Sequence, residues 1–129
     1  MGKIILVVDD DESVRKSISA ALRMKGGYEV FEAEDGFGGL ELAKQHRPDL
    51  IISDVVMKNL NGFLMLEVLK EYPGTSNIPI IMMTQEAQTD REWKMGAAID
   101  YISKGFTLDF LLEKVHSILN VKPESKTST

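Results

Sequence analysis

Short, almost unbroken aliphatic runs, each followed by a polar residue, are the feature that most limits what this chain can fold into. The clearest are Lys3–Val8, Leu50–Ile52 and Ile78–Met83, and two weaker candidates are Tyr28–Ala33 and Ile99–Ser103. Such runs are typical of strands buried on both faces of a parallel sheet, because a strand with one face in water alternates apolar and polar residues. We therefore expect a sheet that is covered by helices on both sides.

The segments between these runs have helical periodicity. Apolar residues recur at intervals of three and four in Ser13–Met24, Phe37–His46, Phe63–Tyr72 and Thr107–Leu119. The segment Glu86–Met95 has few apolar residues, so a helix there would be poorly anchored and largely exposed. Helical segments thus follow all five predicted strands.

This alternation of strands and helices predicts the fold class. Parallel strands joined by right-handed crossovers have helices on both faces, which gives an α/β three-layer sandwich. A length of 129 residues suits one domain with a single core, which we place at residues 1–122. The polar residues 123–129 carry no periodic pattern, and we expect them to form a disordered tail.

Composition excludes several classes of function. The chain has no cysteine, which rules out disulfides, thiolate metal sites and cysteine nucleophiles. No apolar run approaches the roughly 20 residues of a membrane helix, and the N-terminus lacks the features of a secretory signal. A net charge of −5 argues against direct binding of nucleic acid. We expect a cytoplasmic domain.

Reactive side chains follow four of the predicted strands, at the point where each strand ends. Asp9 and Asp10 follow the first strand, Asp54 the third, Thr84 the fourth and Lys104 the fifth. Because ligands of open α/β sheets bind outside the carboxyl ends of the strands, we expect these groups to form one site. Crowded carboxylates repel one another unless a cation lies among them, and an all-oxygen site suits Mg²⁺.

This set of groups matches the needs of phosphoryl transfer. A carboxylate beside Mg²⁺ can act as a nucleophile and form an aspartyl phosphate, while an amine and a hydroxyl bind the phosphoryl oxygens. The acids Asp9 to Glu12 also have an ordinary structural explanation, since an acid after a strand often caps the next helix, and we expect one of them to do so. Helix capping does not explain the lysine, however, so we favour a reactive site.

On these motifs the chain resembles the receiver domain of response regulators in two-component signalling, including the single-domain chemotaxis regulators. The resemblance covers residues 3 to about 120. It implies a flavodoxin-like fold with strand order 2-1-3-4-5. It also implies a phosphoprotein of a phosphorelay that catalyses its own phosphorylation and dephosphorylation, a signalling switch rather than a metabolic enzyme.

The resemblance assigns a role to each residue at the strand ends. Asp54 corresponds to the phosphoacceptor, and Asp9 and Asp10 to the acidic pair that holds Mg²⁺, with Asp10 the direct ligand. The backbone carbonyl of Val56 would complete the metal site. Lys104 corresponds to the lysine that binds the phosphoryl group.

Two further residues correspond to a conformational switch. Thr84 matches the switch hydroxyl and Tyr101 the switch aromatic side chain. The resemblance implies that phosphorylation remodels the face formed by the fourth helix, the fifth strand and the fifth helix. That face would bind a downstream protein or a second copy of the chain, and the phosphoryl group would come from a histidine kinase or a phosphotransfer protein.

The sequence departs from the family pattern at three positions. Lys58 stands where the family commonly has proline, Gln85 where it has a small residue, and Gly105 replaces the proline after Lys104. Without proline, a cis bond would cost roughly 2.5–4 kcal/mol, so we expect a trans Lys104–Gly105 bond. We also expect Lys104 to point into the acid cluster, with positive φ at Gly105 redirecting the loop.

Two other functions use similar residues. A phosphatase of the haloacid-dehalogenase type could use Asp9 as its nucleophile, but Asp109 is the only aspartate that follows Lys104, where such enzymes have a late acidic pair. A receiver that acts as an adaptor without phosphorylation is the second alternative, which the complete set of reactive groups disfavours. A flavin binder is excluded because acids in the first loop would repel its phosphate.

Overall fold

The computed structural model describes residues 2–57, 59–84 and 100–120. Strands and helices alternate over residues 4–84, and a strand is again followed by a helix over residues 100–119, as the sequence predicts. The elements are β1 (Ile4–Val8), α1 (Glu12–Met24), β2 (Glu29–Ala33), α2 (Gly36–His46), β3 (Leu50–Asp54), α3 (Gly62–Lys70), β4 (Ile80–Thr84), β5 (Asp100–Ser103) and α4 (Leu108–Leu119).

The five strands form one parallel sheet in the order β2-β1-β3-β4-β5. The predicted fold class and strand order are therefore confirmed. Val8 of β1 pairs with Ser53 of β3, and Thr84 of β4 pairs with Ser103 of β5. The carboxyl ends of these strands thus lie side by side, which brings Asp54 between the ends of β1 and β4.

Apolar residues of the strands point alternately to the two faces of the sheet. Leu6 and Val8 pack in a core with residues of α2 and α3, including Ala43 and Met65. Ile5 and its neighbours pack in a second core with residues of α1 and α4. The sheet is therefore the middle layer of a three-layer sandwich, and the central strands are buried on both faces as predicted.

Side-chain caps explain where the helices begin. Asp11 accepts a hydrogen bond from the Val14 amide at 3.1 Å and so caps α1. Thr107 caps α4 in the same way through the Phe110 amide. An acid of the first strand end was expected to serve as a helix cap, and Asp11 is that acid.

Gly39 has a packing function in α2. A methyl group there would lie 2.8 Å from Met65 Sδ and 3.1 Å from Val8 Cγ2, so the missing side chain lets α2 approach β1 and α3 closely. A methyl group at Gly38, by contrast, would make only ordinary van der Waals contacts. Both glycines lower helix propensity, but Gly39 permits close packing in exchange.

Several predictions concern residues that the structure does not describe. They are the helix 86–95, the tail 123–129, and the departures from the family pattern at Lys58 and Gln85. Within the described ranges, no helix has the length and apolar character needed to cross a membrane.

Candidate functional site

Asp9 follows β1 and is completely buried. Its backbone amide donates a hydrogen bond to the Ala33 carbonyl at 3.1 Å, which ties the end of β1 to the end of β2. Its Oδ1 accepts a hydrogen bond from the Asp11 amide at 3.0 Å. Its Oδ2 is buried and has no hydrogen bond within the described part of the chain.

Lys104 joins Asp9 to Asp54. Its Nζ lies 3.0 Å from Asp54 Oδ2 and 3.4 Å from Asp9 Oδ2. Its backbone amide donates to the Thr84 carbonyl at 2.7 Å, which fixes the start of the loop against the end of β4. The prediction that this amine points into the acid cluster is confirmed.

The Lys104–Gly105 bond is trans, as the sequence predicts, and no cis bond occurs within the described residues. The expected role of positive φ at Gly105 is wrong, because among described glycines only Gly27 has positive φ. A methyl group at Gly105 would meet no atom within 4 Å. The loop does not use the positive φ that glycine permits, because the backbone amide and the side-chain amine of Lys104 already fix its position through their contacts with Thr84 and with the two acids.

Asp9, Asp10 and Asp54 form a candidate metal site. Each offers a carboxylate oxygen, and these oxygens lie within 4.8 Å of one another. The buried Oδ2 of Asp9 is the observation that tests this assignment: it accepts no hydrogen bond among the described residues and has only the Lys104 amine, at 3.4 Å, as an ion-pair partner there. A buried carboxylate oxygen with so little compensation is costly. The three carboxylates have one lysine amine beside them, which contacts Asp9 and Asp54, so a hard divalent cation fits this donor set.

The pKa of the Asp54 carboxyl is raised above its ordinary value. Burial is the largest cause, and the nearby Asp9 charge adds to it, while the hydrogen bond from Lys104 acts in the opposite direction. The pKa of Lys104 is also raised, since its contacts with Asp54 and Asp9 outweigh the lowering effect of its own burial. The protonated amine is therefore a fixed part of the site.

The structure brings Asp9, Asp10, Asp54 and Lys104 together, and it places Thr84 at the same edge of the sheet. Thr84 is the last residue of β4 and is buried.

The other two predicted site residues are Tyr101 and Val56. Tyr101 lies inside β5, packs against the core under α2 and α3, and has a buried hydroxyl oxygen. Val56 lies in the loop after β3, and its side chain is exposed. Their predicted roles as switch residue and carbonyl ligand stay predictions.

The loop between β3 and α3 depends on residues that the sequence analysis did not single out. A methyl group at Gly62 would collide with the Asp54 carbonyl oxygen, and the Gly62 amide donates to the Val55 carbonyl at 2.8 Å. Asn59 has a φ of 67° and donates to Asp35 Oδ2 at 3.0 Å. The glycine after an asparagine was the available signal for such a tight loop.

A second charged cluster, also missed from sequence, lies beside β2. Glu32 forms ion pairs with Arg15 Nε at 3.2 Å, Lys16 Nζ at 3.2 Å and Arg23 Nη2 at 3.3 Å. Burial alone would raise the pKa of Glu32, but the contacts with these three cations lower it overall. Three basic residues of α1 thus surround one acid of the neighbouring strand.

Residues 5–116 match the response regulator receiver domain. This chain belongs to the response regulator receiver domain family. The match spans every described strand except for the first residue of β1, and it includes Asp9, Asp54 and Lys104.

Curated relatives agree with this assignment. The receiver domain is 38% identical to Protein PilH of Pseudomonas aeruginosa over 117 residues, which cover 89% of this chain and 96% of PilH. It is 39% identical to Response regulator MprA of Mycobacterium tuberculosis over 128 residues, covering 96% of this chain. The match covers only 54% of MprA, so this chain spans about half the length of that relative.

A solved structure has the same architecture. The chemotaxis response regulator CheY4 of Vibrio cholerae is similar with a TM-score of 0.85 and 33% sequence identity, over 92% of this chain and all of CheY4. The receiver domain of this chain therefore shares its fold with a chemotaxis regulator and its sequence pattern with PilH.

Proposed function

We propose that this receiver domain accepts a phosphoryl group on Asp54 from the phosphohistidine of a histidine kinase or a phosphotransfer protein. The observation that carries the proposal is the position of the Lys104 amine, which bridges Asp54 and Asp9 at the edge of the sheet. Membership of the receiver domain family supports the same conclusion.

The chemical step is a displacement at phosphorus. A carboxylate oxygen of Asp54 attacks, a bond between that oxygen and phosphorus forms, and the bond between phosphorus and the histidine nitrogen breaks. The imidazole leaves with the electron pair and takes a proton from solvent. Only an ionised carboxyl can attack, and the hydrogen bond from Lys104 favours that form by opposing the rise in the Asp54 pKa that burial causes.

Lys104 and Thr84 would bind the phosphoryl oxygens. The Lys104 amine is held beside Asp54 by its own ion pairs, so its positive charge is in place before the donor arrives. The Thr84 hydroxyl would come from the neighbouring strand end. Such prearranged charge is the main contribution that a protein makes to phosphoryl transfer.

Mg²⁺ is the cation that we propose for the acid cluster. Asp10, Asp9 and Asp54 would hold it together with the backbone carbonyl of Val56. When bound, Mg²⁺ neutralises the charge that builds up on the transferred group. It would also remove the repulsion among the three carboxylates.

Output would follow from movement of Thr84 and Tyr101. A phosphoryl group on Asp54 would draw in the Thr84 hydroxyl, and Tyr101 would turn into the space left behind. The affected face would be that of the predicted helix 86–95, β5 and α4, where a downstream protein or a second copy of the chain would bind. We propose that this takes place in the cytoplasm.

Burial favours Asp54 over Asp9 as the nucleophile. Asp9 is fully buried and its Oδ1 is engaged by the Asp11 amide, whereas Asp54 is 6% exposed at the strand end. A phosphatase reaction on Asp9 would need a phosphate ester to reach the more enclosed acid. The arrangement therefore favours phosphoryl acceptance at Asp54.

The test uses a small phosphodonor, phosphoramidate, and intact-protein mass spectrometry. We expect the wild-type protein to gain one phosphoryl group in Mg²⁺ and none in EDTA, and Asp54→Asn to gain none in either. Asp9→Asn should be phosphorylated slowly, because it keeps the acceptor. Phosphorylation of Asp54→Asn at the wild-type rate would contradict the proposal, and so would wild-type protein that stays unmodified in Mg²⁺.

A further inference from the structure

Arg15 connects the candidate metal site to the Glu32 cluster. Its side chain is only 12% exposed, which is unusual for an arginine on a surface helix. Its Nη1 donates to the backbone carbonyl of Asp9 at 2.9 Å, and its Nε donates to Glu32 Oε1 at 3.2 Å. One guanidinium group of α1 therefore holds both the end of β1 and a side chain of β2.

The contact with Arg15 leaves Asp9 little freedom. The Asp9 amide is bonded to Ala33, its carbonyl to Arg15, and its Oδ1 to the Asp11 amide. These three contacts direct the remaining oxygen, Oδ2, toward Lys104 and the other acids. The carbonyl contact is the one among them that a side chain supplies, so a single substitution can remove it.

Glu32 in turn holds Arg15 in place. Besides Arg15, it binds Lys16 and Arg23, and Arg23 also donates to the Val30 carbonyl at 2.9 Å. The lowered pKa of Glu32 means that this acid stays ionised at neutral pH. Arg15 is thus fixed at one end by a charged partner that does not touch the acid cluster.

We propose that Arg15 is a positioning residue for cation binding, which acts by fixing the backbone of Asp9 so that its Oδ2 faces the metal site. This inference rests on the proposed function, because it assumes that the acid cluster binds Mg²⁺. Outer contacts of this kind commonly change metal affinity by about 10-fold to 100-fold when removed. Lysine cannot replace arginine here, because one amine cannot copy the planar fork that reaches two acceptors in different directions.

The sign of the effect separates positioning from simple electrostatics. Removing a positive charge near a cation site should strengthen Mg²⁺ binding if charge alone matters. Loss of the Asp9 contact should weaken it. Arg23 is the matched control, because it pairs with the same glutamate, and within the described residues its side chain donates hydrogen bonds only to Val30 and Glu32 of β2.

The experiment measures the Mg²⁺ dissociation constant by isothermal titration calorimetry for the wild-type protein, Arg15→Gln, Arg15→Lys and Arg23→Gln. Urea unfolding curves establish that each variant is folded at the assay temperature. We expect binding to weaken about 10-fold in both Arg15 variants and to be unchanged or slightly stronger in Arg23→Gln. Should Arg15→Gln fail to fold, Arg15→Lys, which keeps the charge, decides the question.

Wild-type affinity in the folded Arg15 variants would overturn the inference, as would equal weakening in Arg23→Gln. Failure of the inference differs visibly from failure of the proposed function. In the first case the wild-type protein binds Mg²⁺ and is phosphorylated, but Arg15 makes no difference. In the second case the wild-type protein itself neither binds Mg²⁺ nor gains a phosphoryl group, and both conclusions fall.

Discussion

Asp54 and Glu32 are both carboxylates that contact basic side chains, yet their pKa values move in opposite directions. Asp54 shares one lysine with the buried Asp9, and burial raises its pKa. Glu32 has three cations to itself, and its pKa is lowered in spite of partial burial. The ratio of cations to carboxylates thus distinguishes the two clusters.

This difference indicates two kinds of charged cluster. The Glu32 cluster is electrostatically complete, so its contacts stabilise the fold and hold α1 against β2. The cluster of Asp9, Asp10 and Asp54 has one lysine amine for three carboxylates and contains a buried oxygen with no hydrogen bond among the described residues. A bound divalent cation would supply the positive charge that the three carboxylates need, so this cluster has the character of a cation-binding site.

The largest effect should come from a glycine substitution beside the acid cluster. In Gly62→Ala, the new methyl group would collide with the Asp54 carbonyl, so we expect a loss of about 3 kcal/mol of stability. Gly38→Ala near Glu32 is the matched control. Its methyl group would have only ordinary contacts, so stability should rise by up to about 1 kcal/mol. Urea unfolding measures both, and equal losses would contradict the difference.

Removal of one cation from each cluster is the next test. In Mg²⁺-free buffer at pH 7, Lys104→Met should lose about 2 kcal/mol, because it leaves the buried carboxylates without a counterion. Arg23→Gln should lose less than about 1 kcal/mol, since Glu32 keeps Arg15 and Lys16. The loss in Lys104→Met should shrink on acidification, as Asp54 becomes neutral. A larger loss in Arg23→Gln would reverse our interpretation of the two clusters.

A buried hydroxyl group elsewhere in the protein provides a comparison for the buried Oδ2 of Asp9. Ser19 Oγ is also buried without a hydrogen bond in the described part of the chain, but it lies within α1 rather than at a strand end. Ser19→Ala should therefore gain about 1 kcal/mol, because an unsatisfied polar group is removed. Thermal unfolding provides the measurement. A clear loss of stability would mean that this oxygen has a partner.

The smallest expected effect is the pH dependence of the Glu32 cluster. The folded pKa of Glu32 lies below its unfolded value, so its ionised form stabilises the fold above the unfolded pKa. The wild-type protein should exceed Glu32→Gln by up to about 1 kcal/mol at pH 7, and this advantage should disappear as the pH falls through the folded pKa. Unfolding curves between pH 7 and pH 3 would show it. An advantage that grows with acidification would refute the assignment.

The sheet and the site at its edge could be predicted because they depend on local signals. Continuous aliphatic runs mark the buried strands, and the acids and the lysine lie at or just after the ends of these strands, as Asp54 lies at the end of the strand that begins with Leu50–Ile52. The resemblance to receiver domains supplied the strand order, which periodicity alone does not give.

What could not be predicted depends on contacts between distant residues. Nothing in the local sequence shows that Arg15 reaches the carbonyl of Asp9 or that Glu32 binds three cations of α1, since basic residues on a helix most often face solvent. The backbone at Gly105 was misjudged for a related reason. Glycine permits positive φ, but the contacts of Lys104 determine the course of the loop.

Chemical trapping of the phosphorylated residue tests whether Asp54 is the phosphoacceptor. After reaction with phosphoramidate and Mg²⁺, borohydride reduces an acyl phosphate to an alcohol, so a modified aspartate becomes homoserine and is located by peptide mass spectrometry. We expect homoserine at position 54 and unmodified aspartate at positions 9 and 10. Homoserine at position 9 instead of 54 would contradict it.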